Sequence, residues 1–433
     1  MTELDLSRFH ATVAERVPVR AEGRTLRVAG LTVEASGPAV PVGAVCRLDP
    51  GVRAEAVGFR EGRLRLMPLE PLQGVSPGGR VVAEETRAGV SVGDALMGRV
   101  LDGLGAPADD RGPIQAEARY PLYAAAVNPV LRRRIQEPLD TGIRAINGLL
   151  TLGRGQRMGI FAGSGVGKSV LLGMMARHSQ ADVNVVALIG ERGRELNDFL
   201  QRDLGPEGLA RSIIVVATSD QPALIRMRAA WIATAVAEYF RDRGRQVLLM
   251  MDSLTRFAMA GREVGLAAGE PPTSKGYTPS VFAALPRLLE RAGNDAGPGG
   301  ITGLYTVLVE GDDPNEPIAD AARGILDGHL WLTRELAARN HYPAIDVLES
   351  VSRTMPDTVT PEHRAAAGRL RSTLAVYRRA EDLISVGAYS KGSNTEIDDA
   401  IRRIDRIMAY LRQDMTESVS LADSVRELEA MFA

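Results

Sequence analysis

Cysteine is nearly absent from this 433-residue chain, and the single Cys46 excludes an intrachain disulfide. Histidine is almost as scarce: His10, His178, His329, His341 and His363 are scattered and form no metal-ligand spacing. No run of about 18 uninterrupted apolar residues occurs, so any membrane contact would have to be peripheral. The N-terminus has no basic segment leading into an apolar core, which makes a cytoplasmic protein the expectation. Neither sign of charge dominates, since 52 basic and 54 acidic residues leave a formal net charge of −2, and polyanion binding gains no support. Aromatic residues make up only 4% of the chain, and between residues 25 and 90 the one aromatic is Phe59. A base-stacking surface for nucleic acid is therefore not expected there. Lysine is the most telling scarcity: only Lys168, Lys275 and Lys391 stand among 49 arginines.

What is present reads as an ordinary globular protein, 45% apolar and 24% charged, long enough for two or three domains. Leu6, Phe9 and Val13 line one face of a short N-terminal helix, free to pack at home or to dock a partner. From Thr25 to about Val90, short alternating or β-branched runs are separated by Gly/Pro turns, the texture of a small barrel or sandwich. A Gly/Pro/Asp-rich connector from Gly93 to about Leu150 is expected to wrap the next domain's surface. Beyond it, apolar strands at Val183–Ile189, 213–217, 247–251 and 304–309 alternate with helical segments such as 222–240, which predicts a parallel α/β sheet. From about Pro361 helices follow one another without strands, at 365–386, 395–411 and 418–431. The expected division is 1–92, 93–360 and 361–433.

The chain is organised around Ala162-Gly163-Ser164-Gly165-Val166-Gly167-Lys168-Ser169-Val170, which joins an apolar strand to a helix start through a glycine-rich turn. Such a turn curls successive backbone N–H groups toward one point at a helix N-terminus, which makes a phosphate-binding loop. Lys168 can reach the β- and γ-phosphates and Ser169 can ligate Mg²⁺. The pattern departs from G-x-x-x-x-G-K-[ST] only at its first position, Ala162. A second strand ends in Asp252, placed to hold a water on the same metal ion. A third runs into Gly190-Glu191-Arg192-Gly193-Arg194-Glu195, and Glu191, nearest the strand end, is the candidate to orient the attacking water. Glu195 is the alternative carboxylate, or else the partner that positions Arg192 or Arg194.

These three runs, together with Pro271-Pro272-Thr273-Ser274-Lys275-Gly276-Tyr277 and His341-Tyr342-Pro343 through Ser352-Arg353, resemble the type III protein-export ATPases, kin to the catalytic subunits of rotary ATP synthases. The phosphate loop and the run Met250 to Ala260 are more similar to the flagellar branch than to the injectisome branch. The resemblance implies a RecA-like nucleotidase core between an N-terminal barrel and C-terminal helices, with ATP and Mg²⁺ as cofactors. It implies catalytic roles for Lys168, Glu191, Arg192, Asp252 and Arg353, with Arg353 as an arginine finger given to a neighbouring copy. Tyr342 is similar to the residue that stacks on adenine, and its phenol ring offers the flat surface a purine needs. Implied partners are identical copies in a ring of six, a regulatory subunit at the N-terminal helix, stalk and gate proteins, and export substrates with their chaperones, at the cytoplasmic face of the inner membrane. A RecA-like hexameric nucleic-acid motor and a nucleotide-binding subunit without turnover are the competing readings.

Overall fold

Six antiparallel strands form a closed barrel in the computed structural model, which describes residues 22–85, 87–309, 313 and 316–432. Around the barrel their order is Glu22–Ala29, Thr32–Ala35, Arg63–Pro68, Val52–Arg60, Val45–Leu48 and Arg80–Glu85. Closure leaves no free strand edge, and alternation sends every second side chain inward. The interior is narrow, so small and β-branched residues fill it: Val33, Ala35, Cys46, Ala54, Ala56 and Val81, with Leu48, Leu64 and Leu66. Burial pushes the Cys46 thiol up to about 11, so this lone cysteine is a packing residue. The helix expected over Leu6, Phe9 and Val13 lies outside the described residues.

The chain divides into two units, one holding the barrel with Glu263–Glu270, the other comprising Gly89–Arg262 and Pro271–Ala433. The second unit is built on a nine-stranded sheet. Its main path runs Val351–Ser352, Gly328–Leu332, Arg157–Ala162, Gly300–Leu308, Gln246–Asp252, Val183–Ile189, Ser212–Ala217 and Val100–Asp102. All neighbours on that path are parallel except Val351–Ser352, which runs against Gly328–Leu332. The central strands are continuously apolar because both faces are covered, and every residue of Val183–Ile189 is buried. One covering element, Ala223–Asp242, presents Ala229, Ala230, Ala233 and Ala237, whose small side chains let helix and sheet approach closely. The connector contributes an edge strand, Val100–Asp102, beside Ser212–Ala217.

Helices Pro361–Ser385, Thr395–Leu411 and Leu421–Ala430 follow the sheet. Thr360 caps the first, accepting from the His363 N–H at 3.2 Å, and Asn394 caps the second, accepting from the N–H groups of Glu396 and Ile397. Leu370, Leu374, Ile407, Tyr410 and Leu428 share one apolar cluster with Ile143, Ile146 and Leu171, so these helices and the phosphate-loop helix rest on a common core.

Candidate active site

Parallel pairing puts the candidate residues at one end of the sheet. Ala162 is opposite Leu308, and Leu188 is opposite Asp252, so the phosphate loop, Asp252 and Glu191 all emerge from strand carboxyl ends. The loop enters the helix Lys168–His178 through Gly167, whose φ of 86° is left-handed and suits a residue without Cβ. Gly190 does the same for Glu191: its φ is 69°, and a Cβ there would lie 3.0 Å from the Arg256 side chain.

Lys168 Nζ donates to Asp252 Oδ1 at 2.5 Å and lies 3.7 Å from Glu191 Oε1. Thr306 Oγ1 also donates to Asp252 Oδ1, at 2.8 Å. Burial opposes the lysine's charge, but the Asp252 and Glu191 carboxylates outweigh it and hold the ammonium above its ordinary range. Glu191 moves the other way. Burial first, then the nearby Asp252 charge, pushes its carboxyl up to about 7, and a hydrogen bond with Glu195 adds to the rise. Glu195 moves down, chiefly through that same bond, so the two carboxyls are pushed apart in pKa. Glu191 Oε1 is buried without a hydrogen-bond partner, an acceptor placed beside the lysine. A carboxylate poised near neutrality is what proton abstraction from a water requires.

Ser169 follows Lys168 on the first helical turn. Among the described residues no group of three His, Cys, Asp or Glu forms a metal cage. A serine hydroxyl plus a carboxylate acting through water is a set of hard oxygen donors, which fits a magnesium ion that keeps several waters and takes phosphate oxygens.

Tyr342 is 41% exposed, and its ring carbons lie 3.4 Å from where a Gly167 Cβ would stand. The ring faces a cleft of about 610 Å³ that opens beside the loop, with Gly165, Val170 and Met174 on one wall and Asn340, Gln413 and Met415 on the other. A size in the range of small-molecule sites, with a half-exposed aromatic at its wall, suits a nucleotide base. Arg192 is exposed and reaches only Glu195, at 3.7 Å. Arg353 is not brought to this end at all. Its N–H donates to the carbonyl of Asp327, whose carboxylate binds Arg157 at the start of the phosphate-loop strand. Arg157 and Ala162 are the two ends of that six-residue strand, so Arg353 is roughly 17 Å along the sheet from its own chain's loop.

The nucleotide-binding domain model of the ATP synthase alpha/beta family matches residues 142–352, and the C-terminal domain model of the T3SS EscN ATPase matches residues 359–430. A flagellum-specific ATP synthase of Pseudomonas aeruginosa is 53% identical over 420 residues, 95% of this chain and 93% of that one. A type 3 secretion system ATPase of Xanthomonas euvesicatoria is 52% identical over 433 residues, 99% and 97% of the two chains. The assembled ATPase EscN of the enteropathogenic E. coli type III secretion system superposes with a TM-score of 0.91 at 46% identity, covering 95% of this chain and 100% of that one. EscN is also known in complex with its central stalk EscO. The chain belongs to the flagellar and type III secretion ATPase family. It is an ATPase of that family, with the barrel, α/β core and C-terminal helices that the sequence led us to expect.

Two features of this export ATPase's site were not read from sequence. Arg256 packs against Gly190, its charge acts on Lys168, and its Nε is buried without a hydrogen-bond partner. An unpaired buried guanidinium N–H is a place for an anion's oxygen. The available signal was its spacing, one helical turn beyond Asp252. The second feature is the wall formed by residues 412–417, which lies between two helices and carries no motif.

Proposed function

We propose that this protein is the Mg-ATP-hydrolysing motor of a bacterial protein-export apparatus of the flagellar type, acting as a ring of identical copies. The observation that carries the reading is the convergence of Lys168, Asp252 and a near-neutral, partly unsatisfied Glu191 at the carboxyl ends of adjacent parallel strands. Lys168 and Arg256 neutralise the terminal phosphates, and the loop amides hold them in place. Glu191, its carboxyl raised by burial and by the Asp252 charge, takes a proton from the attacking water. Ser169 and, through water, Asp252 would hold Mg²⁺, which would neutralise charge on the phosphate oxygens. Tyr342 stacks on the base.

Arg353 supports the ring. It sits at the far end of the sheet from its own loop, so the charge it can offer a transferring phosphoryl group belongs to a neighbouring copy's site. EscN, 46% identical, was solved in assembled form. The working division remains a barrel module through residue 92, a nucleotide module over 93–360 and a helical module from 361. Further partners in this reading are a regulatory subunit at the N-terminal segment, stalk and gate proteins, and export substrates with their chaperones. No helix among the described residues is long and apolar enough to cross a membrane, and a peripheral place at the cytoplasmic face of the inner membrane fits the role. An injectisome motor is the second reading, favoured by the 52% identity to the Xanthomonas euvesicatoria protein.

ATP hydrolysis measured against protein concentration, with Mg²⁺ and with Mg²⁺ chelated, tests this proposal. Turnover should require Mg²⁺, rise more steeply than linearly, and respond to added stalk or regulatory proteins of the export apparatus. Mg²⁺-independent turnover, or specific activity flat across all concentrations, would count against it.

A further inference from the structure

We propose that Gln413 is the positioning residue that makes ATP affinity depend on how the C-terminal helices are seated. This inference rests on the nucleotide-site reading above. Gln413 follows the helix Thr395–Leu411 and is 6% exposed. Its backbone N–H donates to the carbonyl of Tyr342 at 2.9 Å, which ties it directly to the aromatic wall of the base cleft. Both arms of its carboxamide are engaged. Oε1 accepts from the Arg144 N–H at 2.8 Å, while Nε2 donates to the carbonyls of Gly142 at 2.7 Å and Glu417 at 3.0 Å.

The residue type follows from those partners. A backbone N–H can only donate and a carbonyl can only accept, so the side chain must carry an acceptor on one arm and two donors on the other. A carboxylate has the same shape but would set an oxygen against two carbonyl oxygens. An apolar side chain would leave the Glu417 carbonyl and the Arg144 N–H without this partner and would remove one of the two bonds that the Gly142 carbonyl accepts. One buried residue thus joins three segments: its carboxamide ties the 412–417 wall to the connector at residues 142–144, and its backbone N–H ties that wall to the Tyr342 strap.

Neighbouring bonds reinforce the same seam. Arg177, near the end of the phosphate-loop helix, donates to the carbonyl of Met415 at 2.6 Å, and the Val419 N–H donates to Gly142 at 3.0 Å. Because both Nε2 hydrogens and the Oε1 are already bonded to backbone groups, the side chain is a brace and not a reader of the base edge. It holds the wall at the spacing a base needs, and a shift of the helices reaches the cleft through it. The phosphate loop is carried by the strand Arg157–Ala162, and none of the Gln413 side-chain bonds reaches it. Loss of Gln413 therefore weakens ligands that carry a base and spares those that do not.

The test uses the full chain with Gln413→Glu and Gln413→Met, the second keeping the question open if the first does not fold. Calorimetric titration with Mg-ATP and with Mg-tripolyphosphate, alongside KM and kcat, gives the readout. We expect ATP to bind about 10-fold or more weakly to the variants, on the scale of two lost buried hydrogen bonds. Tripolyphosphate affinity should stay within about twofold of wild type, and KM should rise while kcat is largely kept. Unchanged ATP affinity overturns the proposal. Equal weakening of both ligands also overturns it, because that is what a purely structural role would give. Failure of the wild-type chain to bind either ligand would instead remove the nucleotide-site reading on which the proposal stands.

Discussion

The phosphate end and the base end of one cleft are built by different means. The phosphate end is assembled from the carboxyl ends of adjacent parallel strands, where register alone brings Lys168 to Asp252 at 2.5 Å and to Glu191 at 3.7 Å. The base end is assembled from Tyr342 and residues 412–417, held by bonds between segments far apart in sequence. Charge and covalent geometry dominate the first, packing and backbone hydrogen bonds the second. Damage to the phosphate end should abolish chemistry, whereas damage to the base end should cost affinity.

The largest expected effect is at Lys168. Lys168→Ala removes the cation that lies between the Asp252 and Glu191 carboxylates and neutralises the phosphates, and turnover should fall about 10³-fold or more. A folded Lys168→Ala protein with near-normal hydrolysis would break the contrast. Glu191→Gln comes next: Mg-ATP binding should be close to that of the parent, while hydrolysis slows at least ~10²-fold. The sign of its pH dependence is fixed by the need for the ionised form. With the Glu191 carboxyl pushed up to about 7, wild-type kcat/KM should fall as pH drops through that value, and the limb should vanish from the residual Glu191→Gln rate. A separation of binding from chemistry in Glu195→Gln instead would transfer the role to that residue. The smallest effect belongs to the base end, where Tyr342→Ala should raise the ATP Kd about 10-fold and leave kcat nearly intact, the scale of one lost base–aromatic stack. A larger loss in kcat than in affinity would erase the distinction between the two ends.

Legibility in the sequence followed the same line. A glycine-rich turn between an apolar strand and a helix, an apolar strand ending in Asp252 and another running into Glu191 are local patterns, and strand pairing converts them into a site without further information. The barrel's short alternating runs and the strandless stretch from residue 361 onward were legible for the same reason, since each reflects burial along one element. Tyr342 was singled out by resemblance, because an aromatic followed by proline has no distinct periodicity. Gln413 and Met415 left no mark at all: their roles depend on which connector backbone they meet, and that is decided by tertiary packing. The raised pKa of Glu191 was equally hidden, because it arises from burial together with Asp252 and Glu195. Arg192 shows the converse, a motif residue whose side chain in a single chain is exposed and contacts Glu195 alone.

The most direct test of the account is complementation between two inactive variants. Glu191→Gln retains Arg353, and Arg353→Ala retains Glu191, so a mixed ring contains some interfaces that pair an intact carboxylate with an intact guanidinium. Mixing the two proteins should restore part of the ATP turnover that neither shows alone. If mixed oligomers form and the mixture stays as inactive as its components, Arg353 does not act on a neighbour's site and the ring account is wrong.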